Sequence, residues 1–215
     1  MKKKVGLFWI RDDFRLSKND GLIEATKNHD QVVAFYLYKE TNYKSQQAQK
    51  WWLSKSIYNY KKSLSDYNIG LEVIETVSFK FFFDELSKKN DFAMYWNKVY
   101  EPDYIKFDEY LKKIFKKKNI FHKLYRGNIL NEIDEIKKND GTPFKVFTPY
   151  WRAAEKYFTD KIPSDNKFIK RCPKRLNYFS KTIKPEKILP KKRWFKNFEK
   201  KWSPSEENAN KELHI

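Results

Sequence analysis

The chain has 215 residues, 40 % hydrophobic and 18 % aromatic, which excludes a disordered protein and suits one α/β domain with an appended segment. No stretch approaches the ~18 consecutive apolar residues of a membrane span, and the apolar run after the N-terminal lysines is too short for a secretory signal. A single cysteine, Cys172, and three histidines exclude an internal disulfide and a structural zinc cluster, so the reading is of a soluble cytoplasmic protein. The formal charge is +18, and it is uneven, with 15 basic and 3 acidic residues between Lys161 and Lys201. Such a segment attracts phosphate, which makes weak DNA binding through 161–201 an expectation; a lysine-rich, solvated surface is the plainer alternative.

In chain order, Val5–Ile10 reads as a strand buried on both faces, because its apolar run has no alternation. Asn19 or Asp20 is placed to cap a short helix from Leu22 to about Lys27. Val32–Tyr38 is a second buried strand, and a polar loop follows. A long helix is expected from about Gln47 to Tyr67, with Trp51, Trp52, Ile57, Tyr60 and Leu64 gathered partly on one face. Leu71–Ile74 reads as a third strand, Phe79–Lys88 as a helix begun by Ser78, and Phe92–Trp96 as a fourth strand ending at Asn97. Pro102 sits early in a helix running to about Lys118, and Ile120–Tyr125 is a weaker fifth strand. Four or five strands separated by helices specify a Rossmann-like parallel sheet covered on both faces. After Phe158 the periodicity fails, and Pro163, Pro173, Pro185 and Pro190 interrupt lysine-rich sequence. Residues 159–201 therefore read as an irregular basic linker, ordered only where it packs on something else.

The five glycines, Gly6, Gly21, Gly70, Gly127 and Gly141, are too far apart for a G-x-G-x-x-G turn or a phosphate loop. No serine or cysteine has a histidine near it in sequence. His29 and His122 flank strands and read as structural, His214 is terminal, and Cys172 reads as an incidental thiol. No catalytic constellation is visible. Ligands of parallel sheets gather at carboxyl ends of strands, which here fall at Arg11–Arg15, Tyr38–Ser45 and Asn97–Glu101. Arg11-Asp-Asp-Phe-Arg15 puts two guanidinia and two carboxylates at one such end; they either tie the loop internally or line a wall for an anionic or heteroaromatic ligand.

Four segments in register resemble the DNA photolyase/cryptochrome family. They are Phe8-Trp-Ile-Arg-Asp-Asp-Phe-Arg-Leu-Ser-Lys-Asn-Asp-Gly-Leu22, Ala48-Gln-Lys-Trp-Trp-Leu-Ser-Lys-Ser-Ile57, Tyr95-Trp-Asn-Lys-Val-Tyr-Glu-Pro102 and Gly141-Thr-Pro-Phe-Lys-Val-Phe-Thr-Pro-Tyr150. A fainter match, Trp202-Ser-Pro-Ser-Glu-Glu-Asn-Ala-Asn-Lys-Glu-Leu213, is similar to the opening of the family's helical domain. The chain departs from the family at Phe14 (usually Leu), Lys18 (usually Asp) and Ser205 (usually Gly). The resemblance implies an antenna domain over 1–158, the basic linker over 159–201, and the start of the helical domain over 202–215. It implies a light-harvesting chromophore, foremost methenyltetrahydrofolate and otherwise a deazaflavin or flavin, with FAD only in the helical domain. The candidate chromophore-binding residues are Arg11, Lys50, Asn97, Tyr100 and Glu101; Glu101 either accepts hydrogen bonds from a pterin's N–H groups or merely starts the helix at Pro102. The activity implied is that of one part of a light-dependent DNA repair lyase, acting with the helical domain. The alternatives are a fragment of a cryptochrome-type photosensor, or a non-enzymatic nucleotide- or stress-type α/β binding module.

Overall fold

The computed structural model describes residues 5–132, 134–161 and 169–213; Pro163 and His214 lie outside them. The strands are β1 (Val5–Ile10), β2 (Val32–Tyr38), β3 (Gly70–Glu75), β4 (Phe92–Asn97) and β5 (His122–Tyr125). They form one sheet in the order β3-β2-β1-β4-β5, and every pairing is parallel. The expected Rossmann-like architecture is therefore present, with β1 at its centre. Between the strands lie α1 (Asp20–Asn28), α2 (Gln47–Ser65), α3 (Phe79–Leu86) and α4 (Pro102–Lys117); α5 (Phe147–Lys161), α6 (Lys196–Lys201) and α7 (Glu206–Leu213) follow.

Local chemistry explains the boundaries. The Asn19 side chain accepts from Leu22 N and starts α1 two residues before the expected Leu22, and the Ser78 hydroxyl accepts from Phe81 N at the head of α3. Helices α2 and α4 are each followed by an asparagine in the left-handed region, Asn68 and Asn119, which short polar side chains tolerate and which lets the chain turn back toward β3 and β5. Helices α2 and α3 both end two residues before the sequence expectation. Ile120 and Phe121 are not in the fifth strand, because Ile120 N is spent closing α4 on Phe115 O.

Side chains of β1 alternate between two cores. Phe8 and Ile10 pack with α1 and α2 residues such as Leu22, Ile57 and Leu64, whereas Leu7 and Trp9 pack with Phe83, Leu111 and Phe115 of α3 and α4. Strands β2 and β4 are buried along their whole length, which is why their sequences carry no alternation. One expectation for α2 fails. Trp51, Ile57, Tyr60 and Leu64 are buried, but Trp52 is 47 % exposed, since adjacent residues on a helix point about 100° apart and cannot share a narrow stripe.

Beyond α5, residues 169–188 form a strap that wraps edge strand β3. Ile169, Cys172 and Ile188 join the first core, and Leu176, Tyr178 and Phe179 pack against the second. Between them Ile183 N donates to Val73 O in an antiparallel bridge. Glu72, buried on β3, accepts from the backbone N–H groups of Tyr178 and Phe179 at 2.7 and 2.8 Å. Gly70 admits the strap, because a Cβ there would lie 2.7 Å from Leu176 O. The strap covers an edge that otherwise exposes unpaired backbone groups. Among the described residues no helix is long and apolar enough to cross a membrane.

Candidate functional site

The order of strands puts the change of winding direction between β1 and β4, where parallel sheets open a crevice at their carboxyl ends. A cleft of about 490 Å³ lies there, lined by Ile10–Asp13 after β1, Asn97–Pro102 after β4 and Gly127–Ile129 after β5. That volume falls within the range of small-molecule and cofactor sites. Gly127 lets the third wall close. A side chain there would put its Cβ 2.1 Å from Lys98 O, so the loop after β5 lies directly on the end of β4.

Arg11 is 6 % exposed and Asp108 of α4 is 4 % exposed. The guanidinium donates to both carboxylate oxygens of Asp108, at 3.1 and 3.2 Å, and to Asn97 O. Trp96 Nε1 donates to the same carboxylate at 2.9 Å. Burial lowers the Arg11 pKa and raises that of Asp108, in each case opposed chiefly by the attraction of the other. Arg11 thus forms the structural floor of the cleft, tied to α4 and to the end of β4. Of the internal ties that the sequence offered as one reading of Arg11–Arg15, only that of Arg15 is made, with Asp13 at 2.9 Å. Asp108 carries no local signal, since it lies 97 residues from Arg11.

The other sequence candidates divide. Asn97 lines the cleft, but its amide hydrogens are directed to Asp13 and Asn19, which locks the loop after β1 to the end of β4. Tyr100 contributes a ring to the wall; its hydroxyl donates to Glu132 and accepts from Gly127 N. Glu101 stands at the position preceding α4, yet its side chain makes no capping bond; it is exposed at the rim and borders both the cleft and an open trough leading toward Trp52. Lys50 is apart from them: its ammonium is bonded to Glu40, which also accepts from Tyr38, and it does not line the cleft.

The sequence did not reveal that Asp12 and Glu101 stand at the same rim. Loss of hydration raises the Asp12 pKa, Arg11 lowers it, and the Glu101 and Asp13 carboxylates raise it further. Tyr104, facing the same rim, is pushed up to about 12 by burial and then by Asp12, so it remains a neutral donor at neutral pH. The cleft therefore offers aromatic walls and a rim of acceptors, Asp12 and Glu101, in a chain that is otherwise strongly basic.

A family model for DNA photolyase matches residues 6–167. The chain belongs to the DNA photolyase family. It is 28 % identical to a deoxyribodipyrimidine photo-lyase of Agrobacterium fabrum over 97 % of this chain and 44 % of that protein. It is 26 % identical to Cryptochrome-2 of Arabidopsis thaliana over 72 % of this chain and 26 % of the relative. Among solved structures, a bacterial class III photolyase from Agrobacterium tumefaciens superposes with a TM-score of 0.79 at 27 % identity, covering all of this chain and 44 % of that one. An archaeal photolyase from Sulfolobus tokodaii, described with two FAD molecules and an implied novel light-harvesting cofactor, shares the fold at 19 % identity and a TM-score of 0.66, over 86 % of this chain and 40 % of that one. The chain spans less than half the length of these relatives and corresponds to the family's N-terminal α/β domain.

Within this photolyase-type domain two family segments occupy unequal settings. The segment ending in Leu22 makes the floor of the cleft. The segment Gly141–Tyr150 lies on the surface, with Val146 63 % and Phe147 71 % exposed at the start of α5. The departure at Lys18 falls on a left-handed residue, φ 50°, beside a closure the sequence did not reveal: Glu206 of α7 accepts from the backbone N–H groups of Leu16 and Ser17.

Proposed function

We propose that this domain binds a light-harvesting chromophore in the β1/β4 cleft and serves a photolyase in light-dependent DNA repair. The observation that carries the reading is the pairing of two carboxylates, Asp12 and Glu101, which accept no hydrogen bond among the described residues, with aromatic walls in a preformed crevice. A pterin or flavin ring is planar and bears N–H donors on one edge; carboxylates accept such hydrogen bonds with the extra strength of a charged partner. We take a folate of the methenyltetrahydrofolate type as the first candidate, with a deazaflavin or flavin as the alternative. Glu101 would accept from the ring's N–H edge, with Asp12 beside it and Tyr100 against the ring. Arg11 and Asn97 hold the floor rather than the ligand. A chromophore held there would supply light absorption and excitation transfer to a reduced FAD of the family's helical domain, the partner this reading requires. Cytoplasmic location fits the buried free thiol of Cys172, which a reducing compartment preserves.

The test is titration of the chain with methenyltetrahydrofolate and with a deazaflavin, followed by fluorescence. Glu101→Gln keeps the shape and removes the charge, and loss of one charge-assisted hydrogen bond is worth roughly 1.5–3 kcal/mol, or about a ten- to hundredfold weaker affinity. Equal binding by both proteins makes Glu101 only the residue that precedes α4. The matches to two plant cryptochromes carry the second reading, photosensing. Light-dependent loss of thymine dimers, assayed with the helical domain present, separates repair from signalling.

A further inference from the structure

Separate from the cleft, α2 and the segment following the strap together form a row of packed aromatic rings. Ring centroids run from Trp194 to Phe198 at 5.2 Å, to Trp51 at 5.7 Å, to Trp52 at 6.1 Å and to Trp202 at 6.1 Å. Trp51 is buried and anchors the row, while the other four rings are each between 42 % and 55 % exposed. Singly exposed aromatics are ordinary, but two exposed pairs, Trp194 with Phe198 and Trp52 with Trp202, joined through one buried indole are not.

The row lies among cations. Lys191, Lys192, Arg193, Lys196, Lys200 and Lys201 are all exposed, and none is bonded to a carboxylate among the described residues. The acids that feel these charges are already engaged: Glu199 is held by Lys55 at 2.8 Å, and Glu40 by Lys50. Further acids, Glu206 and Glu207 on α7, follow Trp202 and are bound to the loop after β1 and to Lys211.

We propose that this face binds single-stranded nucleic acid, with bases stacked on the exposed indoles and phosphates on the flanking cations. Interleaved rings and positive charges match the two repeating parts of a single strand. A duplex hides its base faces and satisfies only the cations. An acidic peptide likewise leaves the rings unused. A lipid surface requires a longer apolar helical face than the six residues of α6. The proposal is independent of the chromophore reading.

The experiment measures fluorescence anisotropy of a labelled oligothymidine with the full chain, against the same strand in a duplex, polyglutamate, and anionic vesicles. Variants Trp194→Ala and Trp202→Ala remove exposed rings, and circular dichroism verifies the fold. Each is expected to weaken single-strand binding by about 5- to 100-fold. Lys200→Gln with Lys201→Gln should lower the salt slope by about 0.7 per charge removed. Trp-insensitive binding, equal affinity for the duplex or polyglutamate, binding to vesicles alone, or no binding overturns the proposal.

Discussion

The cleft and the strap face use charge in opposite ways. In the cleft, the buried cation Arg11 is neutralised by Asp108 beneath the surface, and the rim carries the acids Asp12 and Glu101, whose carboxylates accept no hydrogen bond among the described residues. Along the strap and the segment following it the acids are the groups engaged, Glu72 by two backbone N–H groups and Glu199 by Lys55, and the cations around Trp194, from Lys191 to Lys201, have no carboxylate partner among the described residues. A chain of +18 net charge thus presents an acceptor-rich pocket and a donor-rich face. The difference lies in which member of each pair is buried, because a buried charge must be paired whereas an exposed one need not be.

The largest effect is expected at the buried pair. Asp108→Asn leaves Arg11 buried without its counter-ion, with an expected loss of about 3–5 kcal/mol, read as a fall in the denaturant midpoint; an unchanged midpoint makes the pair dispensable. Glu72→Gln is next. The carboxylate accepts with both oxygens, and an amide replaces one acceptor by a donor facing an N–H, at a cost of about 1–3 kcal/mol. Limited proteolysis should then cut between 169 and 195 while the sheet stays intact.

Asp12 sharpens the contrast through pH. Its folded pKa is raised above the ordinary 3.8, so its neutral form favours the fold below that value, and this contribution is lost as pH rises through the raised value. Asp12→Asn should therefore increase thermal stability modestly at neutral pH, and the gain should vanish in strong acid. A gain that persists there assigns the effect to packing. The smallest effect is expected at Lys187, which reaches from the strap to Glu75 at 2.5 Å on the exposed edge. Lys187→Ala should cost less than about 1 kcal/mol, so a larger loss in the same unfolding measurement makes this surface contact part of the strap's anchor.

Residues such as Val32–Tyr38 and Phe92–Trp96 announce buried strands by composition alone, and Asn19, Ser78 and Pro102 mark helix starts through bonds that span a few residues. These local signals determined the five-stranded parallel sheet, and with it the location of a cleft at Arg11–Arg15 and Asn97–Glu101. They also carried the family, because its segments are short and contiguous. Tertiary structure decided the partners. Arg11 chose Asp108 rather than its neighbours Asp12 and Asp13; Lys50 went to Glu40 and left the cleft; Glu206 closed the loop at Leu16 and Ser17. A linker without periodicity became a strap because Glu72, Gly70 and Val73 receive its backbone. Such pairings join residues far apart in sequence, and desolvation makes them compulsory only once the sheet and helices have buried one partner, so neither composition nor spacing along the chain records them.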